Sequence, residues 1–225
     1  MDQNSTASRR FCILSGLSGV AGVLLLVGSF AVNNGPPPDP SSAELIKFGQ
    51  QHFAHILWGA WMQAFGPVLI VLFAFALVHL AGATLRLAGW MTFFGATVLM
   101  TVSLIEITFY IAALNLDPPP MPFISLRLIY AVQHLYFIVA APSLFLPLGI
   151  VLVRSSVLPR AFGYLALLLA AAFAALGVAY LLTMMLPAPV TAFAGVQALW
   201  WLAAAITLMF RGGRVSVPSL AAATH

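Results

Sequence analysis

The sequence predicts an all-α fold, a polytopic membrane bundle of six transmembrane helices forming a single transmembrane domain over residues 1–225. Three observations predict it. First, 62% of the 225 residues are hydrophobic and only 6% are charged, against about 25% charged in soluble domains, so the chain cannot coat a water-facing surface. Second, six apolar runs reach the roughly 20 residues that a helix needs to cross the hydrocarbon core. Third, the basic residues sort by side once those runs are threaded, which also predicts the orientation.

The six spans fall at about 11–33, 53–80, 88–114, 128–153, 161–186 and 190–210. The first is flanked by Arg9 and Arg10. Its 23 apolar residues exceed the 7–15 of a signal-peptide core, so it reads as a retained span and not a cleaved leader. The second and fourth contain Pro67, Pro142 and Pro147, where a kink or local loosening is expected. Pro187-Ala188-Pro189 makes a sharp stop between the fifth and sixth. The connections after the first and third spans carry Asn33-Asn34-Gly35-Pro36-Pro37-Pro38-Asp39-Pro40 and Asp117-Pro118-Pro119-Pro120-Met121-Pro122, stiff and extended by their proline content. After the first of these, Ser41 and Glu44 have the spacing of a capping box, which predicts a short interfacial helix before the second span.

With the N-terminus inside, Arg9, Arg10, Arg86, Arg154, Arg160, Arg211 and Arg214 are cytoplasmic and only Lys47 and Arg127 lie outside. Seven against two predicts N-in/C-in by the positive-inside rule, and with it a multi-pass protein of a cell (inner) membrane. The net charge of +4 does not indicate nucleic acid, because no three Lys or Arg cluster into a phosphate-tracking surface. One cysteine, Cys12, excludes an internal disulfide and multi-cysteine metal motifs.

At the junction of the fourth and fifth spans the chain reads Val153-Arg154-Ser155-Ser156-Val157-Leu158-Pro159-Arg160-Ala161-Phe162-Gly163-Tyr164. With Ile105-Glu106-Ile107 in the third span and a tryptophan-bearing last span ending Phe210-Arg211-Gly212, it resembles a group of uncharacterised bacterial six-helix integral membrane proteins, a domain-of-unknown-function family. Ala161 stands where that group often carries tryptophan. The resemblance implies the fold and no activity. Arg86-Leu87-Ala88-Gly89-Trp90 also opens the third span much as Arg160-Ala161-Phe162-Gly163-Tyr164 opens the fifth. That similarity fits either a common interfacial start or a parallel repeat of helical hairpins.

Polar side chains inside spans are expensive, so their placement carries the functional signal. At 100° per residue, His52, His55, Gly59, Gln63 and Gly66 share one face of the second span. Ser103, Glu106 and Tyr110 share one in the third, and Arg127, Tyr130, His134 and Ala141 one in the fourth. At 1.5 Å per residue, Glu106 lies roughly 12 Å, His134 about 9 Å and Gln197 about 10 Å from the outer ends of their spans. The expectation is a polar pocket in the outer half of the bilayer that binds a ligand or a proton through Glu106, His134, His55, Gln63, Tyr110 and Arg127. A carboxylate at the depth of Glu106 is costly unless protonated or paired. His52 and His55 at i, i+3, with His134 and Glu106, form a candidate metal set. His52 or His55 with His134 also forms a candidate axial pair for haem b, although His79 has no histidine partner at the opposite end. No cofactor is specified.

Three classes of function follow. One is a small-ligand binding or transport-type protein whose outward-facing pocket takes a small polar or amphipathic ligand. Another is a membrane enzyme using His and Glu, with or without metal, on a lipid-like substrate. The third is a non-catalytic accessory subunit. The expected partners are the lipid bilayer and a homodimer mate or larger complex, the alanine-rich run from Ala166 to Ala175 allowing close helix contact. The absence of a phosphate loop, a nucleophile elbow, HExxH and an intramembrane lysine sets aside the corresponding chemistries.

Overall fold

A computed structural model describes residues 3–33, 35–36, 40–114, 121–183 and 189–212. Those residues are helical with short turns and contain no strand. The elements are α1 (Gln3–Val32), α2 (Ser42–Gln51), α3 (Phe53–Leu80), α4 (Leu87–Ala113), α5 (Met121–Leu135), a π-helical turn (Tyr136–Ala140), α6 (Ala141–Val153), α7 (Arg160–Thr183) and α8 (Pro189–Arg211). Six helices are long and apolar enough to cross a bilayer: Ser8–Val32, Phe53–Leu80, Leu87–Ala113, Pro122–Val153, Arg160–Ala179 and Ala192–Arg211. This is the architecture of a multi-pass integral membrane protein. The fourth span starts earlier than the hydropathy predicts, because Pro122 sits in the first turn of α5, where proline is well placed to start a helix. The Pro187-Ala188 stop and most of the two proline runs lie outside the described residues.

The helices pack α1 on α3 and α8, α3 on α4, α4 on α5 and α6, and α6 on α7. Glycine permits the closest of these approaches. At the α1–α3 crossing, Gly22 and Gly66 face each other, and a Cβ on Gly22 would lie 2.8 Å from the Gly66 carbonyl oxygen. At the α4–α6 crossing a methyl on Gly95 would overlap the Ser143 carbonyl. Such contacts supply the van der Waals packing that holds helices together where lipid removes the hydrophobic driving force. The centre is aromatic: Phe145 of α6 packs with its ring centroid 5.3 Å from both Trp200 and Trp201, and Trp201 meets Phe73 at 6.0 Å. The Trp200 indole donates to the Phe162 carbonyl at 3.0 Å, fastening α8 to the start of α7.

The prolines act differently from one another. Helices α3 and α6 run on through Pro67 and Pro147. Ahead of Pro142 the chain widens into the π turn, in which the Ala141 N–H bonds to Tyr136 O, five residues back. Proline clashes with the carbonyl four residues before it, and an extra residue in the turn relieves that crowding. The turn changes the phase of α6 relative to α5, so the face assumed to run from Arg127 through His134 to Ala141 is not continuous.

Helix α2 forms as its capping box predicts. The Ser41 hydroxyl accepts from the Glu44 N–H at 3.3 Å, and the Glu44 carboxylate accepts from the Ser41 N–H at 2.8 Å and from its hydroxyl at 2.7 Å. Leu45 and Gly49 are buried beneath the helix. The hydrogen bonds from Ser41 hold the Glu44 carboxyl below its ordinary range. Its contribution to the cap is therefore complete above the ordinary glutamate pKa and lost as pH falls through the lowered, folded-state value. Amide hydrogen exchange over residues 42–46, corrected for intrinsic rates, should show protection falling severalfold on acidification. In Glu44→Gln, which keeps a capping-box acceptor, protection should not respond to pH.

Candidate functional site

Several polar side chains of the spans gather near Glu106. Its position on α4 places Tyr110 one turn away on the same face. The Gln133 amide of α5 donates to Glu106 Oε1 at 2.9 Å, and Gln63 of α3 lies near the carboxyl. Gln63 is buried at the residue whose backbone carbonyl would ordinarily be bonded by position 67. Proline there has no N–H to give, so the α3 backbone is more polar at the level of the carboxyl than elsewhere. Tyr110 and Tyr136 stand close enough to feel the charge of Glu106. The Tyr136 hydroxyl, at the start of the π turn, donates to Gln197 Oε1 of α8 at 2.6 Å. The polar cluster thus joins four of the six spans.

Its chemistry is that of a carboxyl served by neutral partners. Two amides supply N–H donors and two phenols stand beside them, in surroundings that are otherwise apolar. A charged carboxylate accepts such donors; a protonated one adds an O–H that an amide oxygen can accept. The same cluster therefore accommodates either state through amide orientation. The Gln197 amide, 5% exposed, extends the polar path across the bundle.

Above Tyr110 lies a cavity of about 50 Å³, space on the order of a few water molecules. Asn33, Leu45, Phe48, Ile56, Tyr110 and Leu126 are among its lining residues. Leu45 and Phe48 come from α2, which covers one side of the cavity. Apart from Asn33 and Tyr110 its side-chain lining is apolar.

The predicted site residues divide into two groups. Glu106, Gln63 and Tyr110 belong to the cluster. His55 is exposed, with its ring 6.3 Å from that of His52. The His52 ring stacks on Phe48 at 4.4 Å, and its Nδ1 meets the Phe48 carbonyl at 3.1 Å. His134 Nδ1 bonds the Tyr130 carbonyl within its own helix, and it is the adjacent Gln133 that meets Glu106. The Arg127 guanidinium lies 5.0 Å over the Phe123 ring and is exposed. Among the described residues, no three His, Cys, Asp or Glu side chains gather into a group able to hold a metal ion, so His52, His55 and His134 do not assemble the expected set. His79 packs on Phe11 at the opposite end.

Comparison with protein-family models, with curated proteins and with solved structures gives no match. The site's meaning rests on its own geometry.

Two residues of the cluster, Gln133 and Tyr136, are absent from the sequence expectation. Gln133 was legible as an intramembrane amide three residues before Tyr136, but the uniform helical phase favoured its neighbour His134. Replacing Gln133 with Leu removes one donor from a half-buried carboxyl and should cost about 1–3 kcal/mol, read as a lower unfolding temperature in detergent. Thr101→Val, on an exposed face of α4, should leave that temperature within error of the parent.

Proposed function

We propose that the chain is a small-ligand binding or transport-type protein with an outward-facing site, in which Glu106 takes either a proton or the polar head of an amphipathic ligand. The observation that carries this reading is the Glu106 carboxyl hydrogen-bonded by the neutral Gln133 amide of another helix, one turn from Tyr110, which lines a mostly apolar cavity together with residues of α2. The apolar part of the ligand occupies the space between α2 and Tyr110. Its polar part, a cationic or hydrogen-bond-donating group, replaces Gln133 or Gln63 at the carboxyl. Ligand and proton then compete for the same oxygens. The small cavity requires α2, a short helix joined to α3 through His52, to move for entry.

The orientation belongs to the same proposal. Seven arginines against Lys47 and Arg127 support termini in the cytoplasm, which puts α2 and the cavity on the outer face of a bacterial inner membrane. Membership of the six-helix family of unknown function is proposed on the Arg154–Tyr164 connector and Glu106.

One observation favours a second reading, a structural accessory subunit: the cluster's hydrogen bonds are satisfied within the chain. The two readings separate in a thermal-shift screen of purified protein with quaternary ammonium compounds of increasing alkyl length, between mildly acidic and mildly alkaline pH. The ligand reading expects one compound class to raise the unfolding temperature in a pH-dependent way, with the effect lost in a folded Glu106→Gln variant. No shift from any compound, with Glu106→Gln changing stability alone, is the outcome of the accessory reading.

A further inference from the structure

A cavity of about 120 Å³ lies at the opposite end of the bundle from Glu106. It is bounded by the α3–α4 turn and the end of α6, and Ala81, Ala83, Arg86, Leu87, Ile150 and Arg154 line it. Two arginines that are 68 residues apart in sequence therefore open on one recess.

The turn that brings Arg86 there is tightly specified. Gly82 takes a φ of 61°, a conformation that favours glycine. The Ala83 N–H reaches back to Val78 O at 3.1 Å and the Gly82 N–H to His79 O at 2.9 Å. This double bond pattern is the Schellman ending of α3. The Arg86 N–H then bonds Ala83 O at 3.0 Å, and α4 begins at the next residue with no side-chain cap. Arg154 follows α6 directly, its N–H on Ile150 O at 3.3 Å. Both guanidinium stems leave from fixed backbone.

The two acidic side chains among the described residues, Glu44 and Glu106, both lie in the other half of the bundle. Among the described residues no carboxylate pairs with Arg86 or Arg154. Arg211 at the same end is occupied differently, its Nη2 donating to Ser156 O at 3.1 Å. Beyond the recess, Leu87, Trp90, Met91 and Phe94 form an exposed apolar track along one face of α4.

We infer that the recess between Arg86 and Arg154 binds the phosphate of an anionic phospholipid, whose acyl chain lies along Leu87, Met91 and Phe94. Guanidinium forks match phosphate oxygens in pairs, and basic pockets between transmembrane helices suit lipid headgroups. A free phosphate shares the headgroup chemistry but has no use for the apolar track.

The test is native mass spectrometry of the full chain released from vesicles of equal phosphatidylglycerol and phosphatidylcholine. The wild type should retain phosphatidylglycerol in preference to phosphatidylcholine. The double variant R86Q/R154Q should lose that preference by about tenfold. R9Q/R10Q removes equal charge at the same end and should keep it. If R86Q/R154Q does not fold, R154K supplies the measurement: it keeps the charge, loses the paired geometry and should weaken retention. Equal retention of the two lipids by wild type, an equal loss in R9Q/R10Q, or unchanged retention in R86Q/R154Q or R154K overturns the site. Displacement of phosphatidylglycerol by inorganic phosphate overturns the lipid as its occupant and assigns free phosphate instead.

Discussion

A bilayer offers no water to an intramembrane carboxyl, and the arrangement around Glu106 follows from that constraint. Solvation must come from the protein, and a nearby guanidinium would bring its own cost of burial. The chain supplies amides and phenols instead, from α3, α5, the π turn and α8. Each donor fixes the rotation of its helix about its own axis, since an amide turned toward lipid would forfeit its partner. The Gln133–Glu106 bond thus sets the facing of α4 and α5, and the Tyr136–Gln197 bond sets α8 against the π turn. The glycine contacts at Gly22, Gly66 and Gly95 set how near the helices come. Polar bonds determine the orientation of the helices; close packing supplies most of the attraction between them.

The two ends of the bundle are built for different surroundings. Around Tyr110 the space is small, apolar and covered by α2. Between Arg86 and Arg154 it is larger, basic and continuous with exposed apolar surface. The aromatic group of Phe73, Phe145, Trp200 and Trp201 lies between them. A ligand at Glu106 would therefore have to move these rings to pass through, which favours binding from the α2 side over free passage across the bundle.

Much of this was legible in the sequence. Apolar run length placed the helices because lipid thickness sets a minimum that few soluble segments meet. Ser41 and Glu44 announced α2 because a capping box is local chemistry. Glu106, Gln63 and Tyr110 stood out because polar groups deep in a span have few alternatives to facing inward. The same argument pointed to His134, His55 and Arg127, which meet Tyr130, His52 and Phe123 respectively. Near a span's end the headgroups and water solvate a polar side chain, so outward-facing positions become inexpensive. Tyr136 was hidden for another reason. Its place depends on a π turn, and uniform phase counting across Pro142 carries the wrong face into the bundle.

In the proposed function Glu106 exchanges a proton and a ligand at one carboxyl. Infrared difference spectroscopy of the carboxylic C=O stretch measures that exchange directly, with Glu106→Gln identifying the band. The account predicts a band that changes with pH, disappears in Glu106→Gln and changes again when a binding amphiphile is added. A Glu106 band indifferent to both pH and amphiphile would contradict it and leave the carboxyl a packing element alone.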